Sequence, residues 1–155
     1  MCRSVILRTL NSPIIVVTLG VSLLGLFAGT AVAAPPNDNF DAATAITASP
    51  FSDSLDNTTA TTEPGEPQFC QFSQRTVWYS FTPTANALVR ADMAGSNFGD
   101  TVLNLYQAVA PGITGLNFLT CATFGGAIST SLNAGATYYF QAGNAFGGGG
   151  NLHMN

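Results

Sequence analysis

The sequence predicts an all-β protein, an antiparallel β-sandwich of about eight or nine short strands. One reason is the strict alternation at residues 76–82, where Val77, Tyr79 and Phe81 face one way and Trp78 faces the other. A second is that strand-like runs recur about every 8–15 residues, separated by turn residues. The third is composition, because 16 glycines, 8% charged residues and the absence of lysine disfavour long helices.

Residues 1–33 have the organisation of a secretory signal peptide. A positively charged N-terminal segment with Arg3 and Arg8 precedes an apolar region at 14–28. The Ala-Val-Ala at 31–33 matches the small-x-small cleavage pattern. We therefore expect cleavage after Ala33 and a secreted, extracellular product with no membrane attachment. The alternative is an uncleaved anchor, because residues 14–34 approach the roughly 20 residues that span a bilayer.

Residues 34–155 have the length of a single domain and contain no internal repeat. A Pro-rich entry segment leads to one predicted helical turn at 40–43, with Asn39 or Asp38 as its N-cap. Residues 44–48 are predicted to be extended, and two short strands are predicted at 51–55 and 58–62. Asn57 begins an N-glycosylation sequon.

The run at 75–83 is the predicted central strand of the sandwich. It is the densest aromatic stretch of the chain and contains the only tryptophan. Because both of its faces carry aromatic or β-branched side chains, we expect it to lie between layers with Trp78 largely buried. Pro83 cannot donate a hydrogen bond to a ladder, so the strand is predicted to end there.

The second half of the chain contains six more predicted strands. In the first of them, Val89, Ala91 and Met93 alternate with Leu88, Arg90 and Asp92, the period of two that is typical of a strand. The run at 101–108 is apolar on both faces, which is typical of a strand inside a sandwich sheet. The predicted ranges are 86–93, 101–108, 116–122, 128–132, 137–142 and 151–155.

Cys70 and Cys121 are predicted to form a disulfide. The third cysteine, Cys2, is removed with the signal peptide, which leaves an even pair in an oxidising compartment. Such a bond would close a loop of about 50 residues and contribute roughly 3–4.5 kcal/mol. The alternative is a reactive thiol, but no His or Lys lies nearby in the sequence to lower its pKa.

The charge balance excludes two classes of partner. After signal removal the chain keeps two arginines and eight acidic residues, so its formal charge is 2 − 8 = −6. A basic surface for nucleic acid or for an anionic membrane is therefore not expected. An extracellular protein or a polysaccharide remains a possible partner.

Five motifs occur in a fixed order along residues 34–155. They are PNDNF at 36–40, EPGEP at 63–67, VWYSFTP at 77–83, DTVLNLY at 100–106 and GATYY at 135–139. Together they resemble the bacterial pre-peptidase C-terminal domain and its relatives that begin with NDNF. The resemblance implies a secreted, non-catalytic, jelly-roll-like β-sandwich, usually appended to extracellular peptidases or other exported enzymes.

Calcium is the one cofactor with candidate ligands. Some members of that family bind calcium, and hard oxygen ligands are available here from Asp38, Asn39, Asp41 and Asp100. The sequence lacks EF-hand spacing, and relatives often carry an Asn-Asp-Asp run where this chain has CATF at 121–124. The alternative is that Asp38 caps a turn and Asp100 holds the loop before its strand.

Catalysis is not expected. The only histidine, His153, is predicted to occupy a solvent-facing position of the last strand rather than to act as a general base. The acid pairs Glu63 with Glu66 and Asp53 with Asp56 are predicted to be solvated loop residues, and no His/Cys cluster has zinc spacing.

The expected function is therefore that of an accessory or binding module, which supports an extracellular enzyme or binds an extracellular polymer, as collagenase relatives in that family do. The alternative is a structural or surface-adhesion protein without a specific small ligand. Loop phenylalanines are predicted either to seal the ends of the sandwich or to form a binding patch. They are Phe69, Phe72, Phe98, Phe118, Phe124 and Phe146.

Overall fold

The computed structural model describes residues 32–155, so the predicted signal peptide at 1–33 falls almost entirely outside the described residues. Nine strands and two 3-10 turns, Phe40–Ala42 and Ile113–Gly115, lie in this range. The number of strands agrees with the predicted eight or nine. No helix within it has the length and hydropathy of a membrane span. The strands are β1 Thr44–Ile46, β2 Asp53–Asp56, β3 Gln74–Phe81, β4 Ala87–Asp92, β5 Thr101–Ala108, β6 Leu116–Thr123, β7 Ala127–Leu132, β8 Tyr138–Asn144 and β9 Asn151–Met154.

The first layer is a five-stranded sheet in the order β1-β3-β8-β5-β6. The predicted central strand, β3, is internal but second in this order, and β8 occupies the middle between β3 and β5. Alternation identifies a strand with two buried faces, but it carries no information on which strands lie beside it. The β1–β3 pair is parallel, whereas the other strand pairs in the described range are antiparallel.

The second layer consists of two antiparallel pairs, β2 with β9 and β4 with β7. The two pairs meet at one point, where the backbones of Asp92 and Asn155 exchange two hydrogen bonds with N···O distances of 3.0 and 2.9 Å. Before this point β4 has a partner on one side, β7, and none among the described strands on the other.

The main core lies between the two layers, which makes the molecule the predicted all-β sandwich. The first sheet contributes inward side chains from β3, β5 and β8, and the second layer contributes those of β4, β7 and β9. Val89, Ala91 and Met93 face this core, as their alternation predicts. Its central members are Val77, Tyr79, Leu103, Leu105, Phe140, Ala142, Ile128, Leu132, Leu152 and Met154.

A second cluster covers the opposite face of the first sheet. Trp78 and Tyr106 are fully buried there beside Phe40, which the 3-10 turn places over the sheet. The ring centroids of Phe40 and Trp78 are 5.3 Å apart at an interplanar angle of 89°, an edge-to-face contact. The predicted burial of Trp78 is therefore confirmed, because β3 has an apolar layer on each side.

The prediction of a strand at 58–62 is wrong, because that segment is irregular. The strand predicted at 51–55 is present and extends over Asp53–Asp56. The backbone groups of the segment at 58–62 bond to side chains and to a local turn instead of to a ladder. The Thr61 amide donates to Asp38 Oδ1 at 2.6 Å, and the Thr61 carbonyl oxygen lies 3.1 Å from the hydroxyl oxygen of Thr76.

Candidate functional site

A disulfide closes the loop that precedes β3. Cys70 and Cys121 are joined, their Cα atoms are 6.4 Å apart, and 51 positions separate them in the sequence. Cys121 belongs to β6, the edge strand of the first sheet, so the bond holds the loop at 63–73 to that edge. The loop therefore lies where it covers the outer face of the sheet.

The carboxylate of Glu66, in this loop, is the centre of a polar cluster on that face. It accepts hydrogen bonds from the Thr76 hydroxyl at 2.7 and 2.8 Å and from Gln141 Nε2 at 3.0 Å. The backbone amide of Glu63 donates to it at 3.1 Å, and Trp78 Nε1 lies 3.4 Å away. Strands β3 and β8 thus supply donors to one loop acid.

The same cluster continues across the sheet into β5. Gln141 Oε1 accepts from the Tyr106 hydroxyl at 3.0 Å and from Asn104 Nδ2 at 3.1 Å, and all three side chains are fully buried. Burial raises the pKa of Tyr106, and the neighbouring Glu66 charge raises it further. Asn104 Oδ1 is buried without a hydrogen-bond partner in the described part of the chain.

The prediction that Glu66 is a solvated loop acid is wrong. Burial raises the pKa of its carboxyl above the usual value, although the hydrogen bonds from Thr76, Glu63, Trp78 and Gln141 act in the opposite direction. The sequence of the loop alone gave no sign of this, because the apolar and polar groups that surround Glu66 come from distant strands. The carboxylate holds the loop to the sheet through these hydrogen bonds. Glu66 does not line either of the two clefts described below.

The four calcium candidates are not brought together. Asp38 accepts from the amide and hydroxyl of Thr61, and Asp100 accepts from the Phe146 amide at 2.8 Å. Asn39 and Asp41 are exposed, and Asn39 stands at the N-cap position without a capping side-chain hydrogen bond. Within residues 32–155, no group of three or more His, Cys, Asp or Glu side chains is placed to hold a metal ion.

His153 lies on β9 opposite Ser54 of β2, in a partly exposed position. Its Nε2 is 3.4 Å from the Ser54 hydroxyl and 3.4 Å from Asn151 Nδ2, both at the long limit for a hydrogen bond. The neighbouring acids are engaged elsewhere, since Asp53 accepts from the Tyr79 hydroxyl at 3.0 Å and Asp56 accepts from Thr58. A histidine that lacks an orienting carboxylate is a poor general base for Ser54.

Two pairs of rings lie at the surface. The exposed Phe69 stacks on the half-buried Phe118 of β6 with centroids 4.8 Å apart, and Phe124 lies 6.5 Å from Phe146. The side chains of Phe124 and Phe146 are 55% and 75% exposed. Their planes meet at 43°, so they do not form one flat platform.

One concave feature of the described residues is a largely apolar cleft of about 350 Å³ in the second layer, here called the β4 cleft. It opens where β4 has no partner strand, between β4 and the segment that joins β1 to β2. Its floor is the core itself. The lining comprises Ile46, Ala48–Phe51, Phe81, Ala87–Ala91, Phe140, Met154 and Asn155. A more open depression of about 640 Å³ adjoins it around Ile46, Ala48, Ser49 and Phe81.

One ion pair stands at the rim of the β4 cleft. Arg90 pairs with Asp92, and the guanidinium is exposed while the carboxylate is buried. Burial alone would raise the pKa of Asp92, but hydrogen bonds from the Ala94 amide, Arg90 and Asn155 outweigh it and hold that pKa low. The cleft therefore combines apolar walls with a single charged rim, the usual composition of a binding site. The sequence analysis did not predict it, because its walls come from six separate strands or loops.

No protein-family model, no curated protein and no solved structure matches this chain. The resemblance to the pre-peptidase C-terminal domain therefore stays a prediction from the five sequence motifs.

Proposed function

We propose that this chain is a secreted, non-catalytic binding module that holds an extracellular partner in the β4 cleft. The observation that carries the proposal is the cleft itself, an opening of about 350 Å³ lined largely by apolar side chains that pack against the core. Its volume falls in the range of roughly 300–1,000 Å³ that is common for ligand pockets.

Secretion is supported by the signal-peptide pattern at 1–33 and by the disulfide. Disulfides persist in oxidising compartments and are rare where thiols are kept reduced. The Cys70–Cys121 bond holds a loop that also packs Glu66 onto the sheet, so the bond has a structural role that would be lost in a reducing cytosol.

The non-catalytic part of the proposal is supported by how the titratable groups are used. Glu66 is saturated with donors inside the fold, and the His153–Ser54 pair lacks an orienting acid. A hydrolase at neutral pH needs an activated nucleophile, a metal-bound water or two carboxylates with separated pKa values. Among residues 32–155, no group of three or more His, Cys, Asp or Glu side chains is placed to hold a metal ion.

The partner that suits the cleft is a polypeptide rather than a polysaccharide. A sugar chain carries a hydroxyl on most of its carbons and needs many hydrogen-bonding groups, whereas most of the lining residues here are apolar and only Ser49, Arg90 and Asn155 have polar side chains. An exported enzyme or a fibrous extracellular protein offers apolar side chains of the right kind. This is also the class of partner that the sequence resemblance implies.

The proposal is tested by binding of an environment-sensitive apolar dye and of a panel of fibrous proteins and polysaccharides. Val89→Trp, which places a large ring in the cleft, should abolish binding, while Val109→Trp should leave it unchanged, because Val109 is 67% exposed and does not line the cleft. Equal binding by both variants, or none by the wild type, would overturn the cleft as the site.

The absence of catalysis has its own test. The purified protein should give no turnover of casein, gelatin or common glycans, with His153→Ala as the control. Turnover that disappears in His153→Ala would make the protein an enzyme, and turnover that persists in it would indicate a contaminant.

A further inference from the structure

The N-glycosylation sequon Asn57-Thr58-Thr59 has no part in the proposed function. A glycan acceptor is expected at the surface of a folded protein, because the attached sugar is bulky and hydrated. The structure places Asn57 inside instead, since its exposed fraction is 0%, whereas Thr58 beside it is exposed. The sequon is therefore a turn whose tip faces the solvent and whose asparagine faces the interior.

The backbone of Asn57 is held on both sides. Its amide continues the pairing of β2 with β9 and donates to the Gly150 carbonyl with an N···O distance of 3.0 Å. Its carbonyl accepts from the Ala60 amide at 3.0 Å, which closes the turn over residues 57–60. A movement of Asn57 to the surface would break both hydrogen bonds.

The side-chain amide of Asn57 uses both of its ends within the fold. Nδ2 donates to the Arg75 carbonyl at 2.8 Å, and Oδ1 accepts from the Gly150 amide at 2.8 Å. The donor and the acceptor of one carboxamide thus join the start of β3 to the glycine-rich loop that precedes β9. Removing either end would leave a buried backbone group without its partner.

The Arg75 carbonyl depends on this contact, because Arg75 lies in a bulge. Its φ is 49°, in the left-handed region, and the register of β3 against β8 shifts at this point. A bulged residue loses its partner in the ladder, and Asn57 Nδ2 supplies one. Arg75 Nε in turn donates to the Gly147 carbonyl at 2.6 Å. Asn57 and Arg75 together therefore hold the loop at 147–150 against β3.

The loop leaves no room for a sugar on this turn. A Cβ added at Gly149 would lie 2.8 Å from Thr58 Cα and 3.2 Å from the Asn57 carbonyl oxygen, so even a methyl group does not fit between the two segments. A sugar ring is far larger than the single methylene that already strains a close-packed region.

We propose that Asn57 is a structural residue closed to glycosylation in the folded protein, and that a glycan attached to the unfolded chain prevents folding. The transfer forms a bond between Asn57 Nδ2 and C1 of the sugar and breaks the bond from C1 to the diphosphate of a lipid-linked oligosaccharide donor. One amide proton leaves to a base of the transferase. Because the glycan and the loop at 147–150 need the same space, the chain requires an export route that leaves this sequon unmodified.

A second explanation is local opening, in which the turn at 57–60 swings outward while the rest of the domain stays folded. The two explanations differ in one measurable respect. Local opening gives a folded glycoprotein, whereas a closed Asn57 gives a folded chain without a glycan or a glycosylated chain without the fold.

The experiment translates the full chain with microsomes under reducing conditions, which prevent the Cys70–Cys121 bond and leave the sequon open to the transferase. Glutathione disulfide is then added, the membranes are dissolved in detergent, and folding is measured as resistance to protease. The glycosylated and unglycosylated bands of one sample are compared directly. The unglycosylated band should become resistant, and the glycosylated band should be digested.

Two variants supply the matched controls. Thr59→Ala removes the sequon and keeps Asn57, so all of its product should become resistant. Adding Leu88→Thr to Thr59→Ala creates a sequon at Asn86, which is exposed and accepts a hydrogen bond from Ala134 through Oδ1 only. This double variant should be glycosylated and should still become resistant after oxidation.

A glycosylated wild-type band as resistant as its unglycosylated partner would overturn the proposal. So would a wild type that is not glycosylated under reducing conditions in which Asn86 is modified, because the glycan could then not block folding.

The structural role of Asn57 has its own measurement. Asn57→Asp keeps the acceptor for Gly150 but loses the donor to Arg75, and should lower the melting temperature by roughly 5–15 °C. Asn86→Asp, which keeps the exposed acceptor for Ala134, should change it by less than about 2 °C. Equal shifts in the two variants would show that Asn57 does not hold the bulge.

Discussion

Replacement of Trp78 by alanine should be among the most destabilising single changes in the second cluster. Its side chain is 0% exposed on the face of the first sheet that the 3-10 turn covers. Its ring lies 5.3 Å from the ring of Phe40 and 6.1 Å from that of Tyr106, measured between centroids. The indole also lies beside the Glu66 carboxylate, with Nε1 at 3.4 Å.

The expected cost is about 3–5 kcal/mol of unfolding free energy, the range for truncating a buried tryptophan. The upper part of that range applies here, because each aromatic contact contributes roughly 0.5–1.5 kcal/mol beyond burial. For a domain with a total stability of about 5–15 kcal/mol, such a loss leaves a marginal fold. The melting temperature should fall by roughly 10–20 °C.

The assay is equilibrium unfolding in urea, followed by circular dichroism because Trp78 is the only tryptophan and its fluorescence is lost in the variant. Phe146→Ala is the matched control: that ring is 75% exposed, so its removal should change stability by no more than about 0.5 kcal/mol. If Trp78→Ala unfolded within about 1 kcal/mol of the wild type, the two-layer burial of β3 would be refuted.

Three further predictions concern the loop and the middle strand. Replacing both Cys70 and Cys121 by alanine should lower the unfolding free energy by about 4 kcal/mol, measured in urea; an unchanged midpoint would show that the bond does not constrain the chain. Glu66 has a folded-state pKa above its ordinary value of 4.5, so its contribution is fully present below that pH and declines as the pH rises through the folded pKa. The stability of the wild type relative to Glu66→Gln should therefore decrease from pH 4 to 7, and a flat or rising difference would contradict the burial effect. Gly143→Ala should destabilise β8, because the added Cβ would lie 2.6 Å from the Gln74 carbonyl oxygen; a thermal melt equal to that of the wild type would show that the backbones can separate there.

Several features of this protein follow from the sequence by itself. Alternation at 76–82 identified a strand with two buried faces, and the structure places Val77 and Tyr79 in the main core and Trp78 in the second cluster. Period-two patterning works here because the side chains of a strand must face opposite sides, whatever the strand is paired with. The limits of β5 were predicted to the residue for the same reason.

The alternation of apolar and polar residues does not indicate which strands lie next to each other in a sheet. That β8 lies between β3 and β5, and that β1 pairs in parallel, depends on contacts between residues far apart in the chain. The segment at 58–62 shows the same limit, because the acceptor for the Thr61 amide is a carboxylate 23 positions away. Local propensity predicted a strand there, but the Thr61 amide bonds to the Asp38 side chain and not to the backbone of a neighbouring strand.

The two most informative sites depended on tertiary structure alone. Glu66 looked like a solvated acid between two prolines, and its pKa is raised because the loop packs onto the sheet and buries the carboxyl, although the donors from β3 and β8 act in the opposite direction. The β4 cleft exists because β4 meets Asn155 at a single residue and then has no neighbour on that side among the described strands. Sequence periodicity determines which face of a strand is apolar, but only the packing of distant strands determines whether that face is covered and whether its backbone edge stays open.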